Sequence, residues 1–583
     1  MQTAYRTHTC GALKKAEIGK TVKICGWNQA RRDHGGIIFI DLRDKYGLTQ
    51  IVFDPKHTPD LYKEAEKLRR EDVLQVSGKV RARPTGLENP KLITGEIEVL
   101  VDTLSIMSRS QTPPLEIEDR VEPSEDIRLK YRYLDLRRPK MQRNLLMRHN
   151  IIAAARDHFF KNGFMEIETP LLVKPTPEGA RDYLVPSRVN PGTFYALPQS
   201  PQLYKQILMV AGCDRYFQVA RCLRDEDLRE DRQPEHTQFD LEMSFVSSED
   251  VMAFVESLYH HIFKDVMGIT LEKFPVLTYK ESIARFGSDK PDMRFGLEVI
   301  DVTDIAKSSE FSVFKDAESI KCINPETELS RKDFDKYIEF VQKFGAKGMA
   351  WARVTKDGLD SSIVKYLSLE IQKKLLERTK AKPGSALMFV ADKPKIVADA
   401  LGRLRLQVAQ DLNLIPEGIF KFAWVKDFPL FAYNEEEARW EPEHHMFTMP
   451  KQEFVKDFEK RPGEVIGDLY DVTLNGTELG SGSIRVTNPE LQGRIMNFIG
   501  LSKDEAERKF GFLLHAYEYG APVHGGMGLG VDRLVALMIG TKDIREVIAF
   551  PKNKNAQCPM DGCPSAADDK QLKDLHLKLE VKK

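Results

Sequence analysis

The sequence predicts a multidomain α+β protein, and three observations carry that prediction. At 583 residues the chain is too long for a single hydrophobic core, and its length suggests several domains. Residues 1–108 read as short strands broken by turns, with one helical stretch among them. From about residue 141 helical periodicity and strand-like alternation interleave, and between 286 and 420 long helices alternate with short apolar strands.

In chain order, TVKICGW, GGIIFIDLRD, LTQIVFD, VLQVSGKVRARP and GEIEVLVDTLSIM read as strands and DLYKEAEKL as a helix. Five strands and one helix over 1–108 suggest a small antiparallel β-barrel of the OB-fold kind, a module able to bind RNA. RSQTPPLEIEDRVEPSED is proline-rich, acidic and aperiodic, so 109–140 is predicted to be a linker or hinge. A helix through QRNLLMRHNIIAAARDHFFKNG opens the first part of a second domain, 141–285; Leu145, Ile152, Ala155 and Phe159 share one face and Asn162-Gly163 ends it. FMEIETP follows as a strand. The turn GSDKPD leads into the inserted α+β domain, 286–420. Strands resume at FAWVKDFPLFAY, the last long helix is VDRLVALMIG, and the second part closes at 421–555. In the extension 556–583, LHLKLE reads as a short strand.

Composition excludes several classes. With 42% hydrophobic and 30% charged residues there is no apolar run of the roughly 18 residues a membrane span needs. MQTAYRTHTCGALKK lacks a secretory apolar core, so the expected location is cytoplasmic. The cysteines at 10, 25, 213, 222, 322, 558 and 563 are scattered and odd in number, which argues for reduced thiols. Cys558 and Cys563 are spaced too widely for a CxxC knuckle and lack a second pair, so no structural zinc is expected. A formal net charge of -1 points to no nucleic-acid partner by itself, since a basic face can be balanced elsewhere.

Four constellations carry chemistry. In RCLRDEDLREDRQPEHTQFDLE, alternation puts Gln218, Cys222 and Arg224 on one strand face and Gln238, Asp240 and Glu242 on the matching face of its partner. The long loop between them holds Asp225, Glu226, Asp227, Arg229, Asp231 and Arg232; it suits a polyanion, and a solvated self-paired loop explains it equally well. In YDVTLNGTELGSGSIRV, Asn475-Gly476 predicts a hairpin that pairs Thr473 with Glu478 and makes Asp471 and Glu478 diagonal neighbours. Cα atoms so related lie about 7–8 Å apart, a span that one hard cation bridges through carboxylate oxygens, so the pair reads as a magnesium site. Simple alternation puts Arg485 on the opposite face from Glu478, unless a bulge at the GSGS glycines restores it.

In GGMGLGVDRLVALM a glycine-rich strand runs into a helix with Asp532 as N-cap. Arg533 then stands in the first turn, where the helix dipole disfavours a cation unless an anion such as phosphate shares the site. A plain packing turn is the alternative, and without GxxxxGK[ST] this is no P-loop. In LPQSPQLYKQILMV, Ser200 as N-cap and Pro201 at the first position start a helix with Gln202 and Lys205 on one face. Lys205 is again a cation near a positive helix end, although a surface lysine reads the same way.

Together these residues resemble class II aminoacyl-tRNA synthetases, and within them the bacterial aspartyl-tRNA synthetase family. GFMEIETP is similar to motif 1, ending in Pro170; the strand–loop–strand from Arg215 to Phe245 resembles motif 2, and GLGVDRL motif 3, with Val531 where leucine is more usual. TPEGARDY, YALPQSPQL, RDEDLREDRQPEHTQ, HHMFT, GSGSIR and AFPKN match family segments in the same order, so the resemblance covers nearly the whole chain.

The resemblance implies a class II antiparallel sheet flanked by helices and a homodimer formed through motif 1. It also implies ATP and Mg2+, with aspartate attacking the α-phosphate of ATP and the acyl group passing to the terminal ribose 3′-hydroxyl of tRNA. Carried over residue by residue, Arg224, Asp225, Glu226, Gln233, Glu478, Gly530, Val531, Asp532 and Arg533 would hold ATP, with Arg224 and Arg533 the catalytic cations. Asp471 and Glu478 would hold magnesium. Glu178, Ser200, Gln202, Arg224 and Asp240 would hold the amino-acid end of L-aspartate. Lys205 and Arg485 would read its side chain, with His444 and His445 nearby. In the barrel, Phe39 would stack on an anticodon base, with Arg32, Gln50 and Glu96 adding polar contacts; alternation sets Phe39 with Ile37 and Asp41, away from Ile38, Ile40 and Leu42. His34 in RRDHGG and Gly86 in RARPTG stand where members that charge both tRNA(Asp) and tRNA(Asn) tend to carry histidine and glycine. The insertion resembles a domain shared with an amidotransferase subunit, which makes an amidotransferase a candidate partner. A tRNA(Asp)-only enzyme, an asparaginyl or lysyl relative and a non-catalytic RNA-binding homologue are the competing readings.

Overall fold

The computed structural model describes residues 2–176 and 179–580. Strands β1 (Thr21–His34), β2 (Ile37–Asp44), β3 (Gly47–Phe53), β4 (Val73–Ala82) and β5 (Ile97–Ser108) close into a barrel in the order β1-β2-β3-β5-β4, with α1 (Pro59–Ala65) between β3 and β4. The predicted period-2 alternation fills it: Ile38, Ile40 and Leu42 of β2 join Val22, Ile24, Val76 and Val99 in one core.

The barrel belongs to a unit made of Met1–Leu146 and Arg545–Ser565. Here the structure departs from the expected boundaries. The stretch 109–140 contains helices Glu125–Lys130 and Arg132–Asp135 and is more than a linker. Arg132 donates to the carbonyls of Arg545, Ile548 and Ala549, and Arg128 pairs with Glu546 at 2.7 Å. Those buried charges fasten 545–549 to the hinge, so this segment leaves the expected 421–555 part. No composition-based boundary registers ion pairs between segments 400 residues apart in sequence.

The second unit comprises Met147–Ile544 and Ala566–Lys583. Helix α2 (Pro139–Lys161) ends where expected, with Gly163 at φ 77. Strand β6 is only Met165–Glu166, and Phe159 stacks on Phe217 with centroids 4.2 Å apart. Next come α3 (Gln202–Val210), β7 (Arg215–Leu223), β8 (Glu235–Ser244), β9 (Val276–Thr278), β10 (Phe422–Lys426), β11 (Leu469–Leu474), β12 (Thr477–Ile484), β13 (His524–Gly530) and α4 (Val531–Met538). They form an eight-stranded sheet, β9-β10-β11-β12-β13-β8-β7-β6, antiparallel except where the edge strands β9 and β6 join.

The insertion has its own five-stranded sheet, in which the strand Ala386–Asp392 is buried on both faces. Met388 and Val390 enter one core and Leu387 and Phe389 another. Helices Arg331–Gln342, Leu369–Thr379 and Pro394–Asp411 were legible from their periodicity. The tail differs from expectation: helix Asp569–Asp574 precedes LHLKLE, which forms no strand over 575–580. Alternation alone builds no strand where no neighbouring strand is available to pair with it.

Candidate active site

The register of five strands assembles one polar sheet face. Across β7 and β8, Gln218 faces Asp240 and Tyr216 faces Glu242; across β8 and β13, Gln238, Asp240 and Glu242 face Gly530, Gly528 and Gly526. Ser481 and Ser483 of β12 face Gly528 and Gly526, and Asp471 of β11 faces Ser481. Cross-strand partners share a face, so carboxylates, amides and hydroxyls line a floor whose central strand contributes glycines.

The hairpin holds a bulge, one residue before the GSGS glycines where the sequence permitted one. Thr473 pairs with Glu478 and Val472 with Gly480, leaving Leu479 as the extra residue. The bulge returns Ser481, Ser483 and the following Arg485 to the face of Asp471 and Glu478. Asn475 (φ 52) and Gly476 (φ 81) make the predicted two-residue turn.

At one end of this face stand buried charges. Arg485 donates to both oxygens of Glu242 at 2.8 and 3.1 Å, to Ser483 Oγ at 2.6 Å, and lies 2.9 Å from His445 Nε2. Lys205 Nζ lies 2.9 Å from Asp240 and 3.3 Å from Glu242; it is 1% exposed, which disposes of the surface-lysine reading. Burial pushes the Asp240 carboxyl up to about 6 despite Lys205. Glu242, equally buried, is drawn down to about 2 by Arg485 and Lys205. Burial and Arg485 hold His445 well below the usual imidazole range, so it is neutral and an acceptor for the guanidinium. Glu242 joins the site by the same strand alternation that places Asp240 there.

Two helix starts shift, α3 by one residue and α4 by two. Helix α3 begins at Gln202, and Ser200 Oγ accepts the Gln202 N–H at 3.3 Å, while the Gln202 amide nitrogen is buried without a partner. Asp532 is not an N-cap: α4 starts at Val531, and the Asp532 carboxylate accepts the Thr237 N–H at 2.8 Å and pairs with Arg148. Its side chain is thus a strut between α4, α2 and β8, while Gly530 and Val531 bring backbone to the face.

At the other end, Arg533 donates to Asp231 at 3.0 Å and to the Glu478 carbonyl at 3.1 Å. Within the charged loop Arg232 pairs with Glu226 at 2.9 Å and Asp225 with Arg181 at 3.7 Å. Arg224 donates to the Gln199 carbonyl at 3.3 Å, and Gln233 is buried. Asp231 and Arg232 therefore brace the loop. Asp471 is 1% exposed with Oδ1 unpartnered, and His444 stands 3.7 Å from its Oδ2. Burial raises the Asp471 carboxyl, whereas Lys290 and Arg533 outweigh burial and lower Glu478. Glu178 lies outside the described residues.

In the barrel, Arg32 donates to Asp41 at 2.6 and 2.8 Å and reaches Gln50 at 3.5 Å, with half-buried Phe39 opposite Arg32. Glu96 stands apart, exposed and 2.6 Å from Lys15; Glu98 is the acid that meets Gln50, at 2.8 Å. Glu96 precedes β5, whereas Glu98 stands within it opposite Arg81, on the face away from the core residues Ile97 and Val99. His34 ends β1, exposed, and Gly86 has φ +85 in a turn, a conformation other residues adopt only with strain.

A closed barrel in one unit, and in the other an antiparallel sheet carrying this glycine-floored polar face, define a class II synthetase. Comparison with known proteins agrees. Residues 124–554 match the family described as tRNA synthetases class II (D, K and N), and residues 22–107 the OB-fold nucleic acid binding domain. The protein named Aspartate--tRNA(Asp/Asn) ligase of Caldanaerobacter subterraneus subsp. tengcongensis is 52% identical, over 99% of this chain and 98% of its own. A protein of the same name from Aquifex aeolicus is 50% identical, over 98% of each chain. Asparaginyl-tRNA synthetase from Pyrococcus horikoshii, solved with asparaginyl-adenylate, shares the fold with a TM-score of 0.57 at 20% identity, covering 93% of this chain and 97% of that one. The chain belongs to the D, K and N family of class II tRNA synthetases. Among the described residues no helix is long and apolar enough to cross a membrane.

Proposed function

We propose that the protein is an aspartate–tRNA ligase that charges both tRNA(Asp) and tRNA(Asn). The observation that carries the amino-acid assignment is the buried guanidinium of Arg485, held by Glu242 and His445 beside Lys205. A fixed, desolvated fork of this kind matches a carboxylate and rejects a neutral amide. The relatives' printed names support the tRNA assignment.

In the first step a carboxylate oxygen of aspartate attacks the α-phosphorus of ATP, the bond to the bridging β-oxygen breaks, and pyrophosphate leaves. The carboxylate is already ionised, so positioning and charge stabilisation suffice. Arg224 and Arg533 supply positive charge along the phosphates, Asp240 meets the α-ammonium, and Lys205 and Arg485 read the side chain. In the second step the ribose 3′-hydroxyl attacks the acyl carbon and AMP leaves. Asp471 and Glu478 fit Mg2+: they are adjacent carboxylates, and the buried Asp471 Oδ1 has no partner. Bound there, the ion would neutralise phosphate charge. Exposed Phe160, Met165, Leu171 and Leu172 beside Pro170 support dimerisation through motif 1.

Pyrophosphate exchange with aspartate, asparagine and lysine tests the reading; exchange with aspartate alone is expected, and a preference for asparagine overturns it. Purified tRNA(Asn) should accept aspartate within about tenfold of the tRNA(Asp) rate, and negligible charging refutes the dual specificity. The acid limb of kcat/KM for aspartate should fall near pH 6, because protonated Asp240 no longer attracts the α-ammonium. Asp240→Asn should abolish that limb, and a limb that persists removes Asp240 from the role. Phe39→Ala should lower kcat/KM for tRNA by roughly tenfold, the value of one stacked base, with pyrophosphate exchange unchanged; unaltered charging would exclude the stack.

A further inference from the structure

The turn opening the insertion reaches the carboxylate pair, and no motif predicted this. Arg405, 1% exposed in the helix Pro394–Asp411, donates to the carbonyls of Asp292, Phe295, Gly296 and Leu297 at 2.6, 3.2, 3.0 and 3.0 Å. Asp292 is buried, chelated by Arg294, and packed on the β11–β12 turn so closely that a Cβ on Gly476 would lie 3.1 Å from its own. Ser282 Oγ donates to the Ser288 carbonyl at 2.6 Å, and Ser288 Oγ accepts the Lys290 N–H at 3.0 Å. A segment anchored at so many points is a built part of the site.

It presents Lys290, whose Nζ lies 3.1 Å from Glu478 Oε2 and 3.7 Å from Asp289. Glu478 faces Lys290 from β12, Asp471 adds negative charge from β11, and Arg533 of α4 meets the Glu478 carbonyl. A lysine ammonium and a divalent cation compete for the same carboxylate oxygens.

We infer that Lys290 is a positioning residue of the metal–triphosphate site, neutralising Glu478 so that the Asp471–Glu478 pair binds a divalent cation weakly alone and strongly with ATP. Phosphate oxygens then supply both further metal ligands and an alternative anion for the ammonium. The inference rests on reading Asp471 and Glu478 as metal ligands. It makes the insertion a contributor to nucleotide binding.

The test is Mn2+ titration of the full-length, ATP-free protein, read as free Mn2+ by electron paramagnetic resonance. Lys290→Gln should bind Mn2+ roughly five- to tenfold more tightly, since a half-exposed ion pair no longer has to be given up. Lys290→Arg should bind as the unchanged protein does, and Lys290→Gln should also raise the KM for ATP. A gain in affinity is not what damage to the fold produces. If Glu478→Gln abolishes Mn2+ binding while Lys290→Gln leaves it equal or weaker, the role of Lys290 is overturned and the metal pair stands. If Glu478→Gln leaves Mn2+ binding unchanged, the metal reading falls and this inference with it.

Discussion

Arg485→Leu is expected to lower kcat/KM for aspartate in pyrophosphate exchange by roughly a thousandfold or more, because it removes the buried fork proposed to read the substrate carboxylate. Two effects add. The substrate loses a charge-assisted pair in a dry site, where such pairs are strongest. The protein also keeps Glu242, which now lacks both guanidinium bonds and has only Lys205 at 3.3 Å. Breaking a buried pair from one side costs about 3–5 kcal/mol, so thermal stability should fall as well. Glu242, drawn down to about 2 by Arg485 and Lys205, would then rise and take up a proton more readily. Arg485→Lys keeps the charge but not the fork, and should recover stability better than activity. Pyrophosphate exchange and calorimetry on both variants check this; aspartate kinetics within about tenfold of the parent in Arg485→Leu would remove Arg485 from the pocket.

Much of this site was legible because strand periodicity is strict. Asn475-Gly476 set the hairpin register, and Thr473 pairs with Glu478 as that turn requires; the bulge then puts Asp471 opposite Ser481, on the face it shares with Glu478. Alternation likewise set half-buried Phe39 on the face opposite buried Ile38, Ile40 and Leu42. What escaped was whatever depends on pairing between distant segments. The bulge at Leu479 was permitted by the glycines but not required by them. Glu98 and Glu96 look alike until the start of β5 at Ile97 leaves only Glu98 in the strand, opposite Arg81 of β4. Asp532 carries a good capping side chain that Thr237 and Arg148 claim instead. Lys290 sits in a turn signal whose composition says only that the chain bends, and its meaning comes from β12 arriving beside it.

Gly526→Ala should damage the protein more than any other single methyl group added to this face. A Cβ there would lie 2.0 Å from Glu242 Oε2 and 2.1 Å from the Leu241 carbonyl oxygen. The first contact is with a side chain pinned by Arg485 and Lys205, and the second is backbone, so neither can yield without parting β13 from β8. Overpacking that moves backbone costs about 3 kcal/mol or more, which in a unit of this size, at roughly 1 °C per kcal/mol, lowers Tm by about 3 °C or more. Aspartate-dependent exchange should be lost with it, because the displaced groups are the ones that brace Arg485. Gly528→Ala is the control on the same strand and face: the nearest atoms to its Cβ would be those of the Gln238 amide, at 3.2 to 3.4 Å, a side chain end that can move by tenths of an ångström. If strand propensity alone governed these sites, both alanines would act alike and mildly, alanine being no worse than glycine in a strand. Equal small shifts in the two variants would therefore refute a steric role for the glycine floor, whereas a large loss confined to Gly526→Ala would show that this glycine leaves room for the Glu242–Arg485 pair.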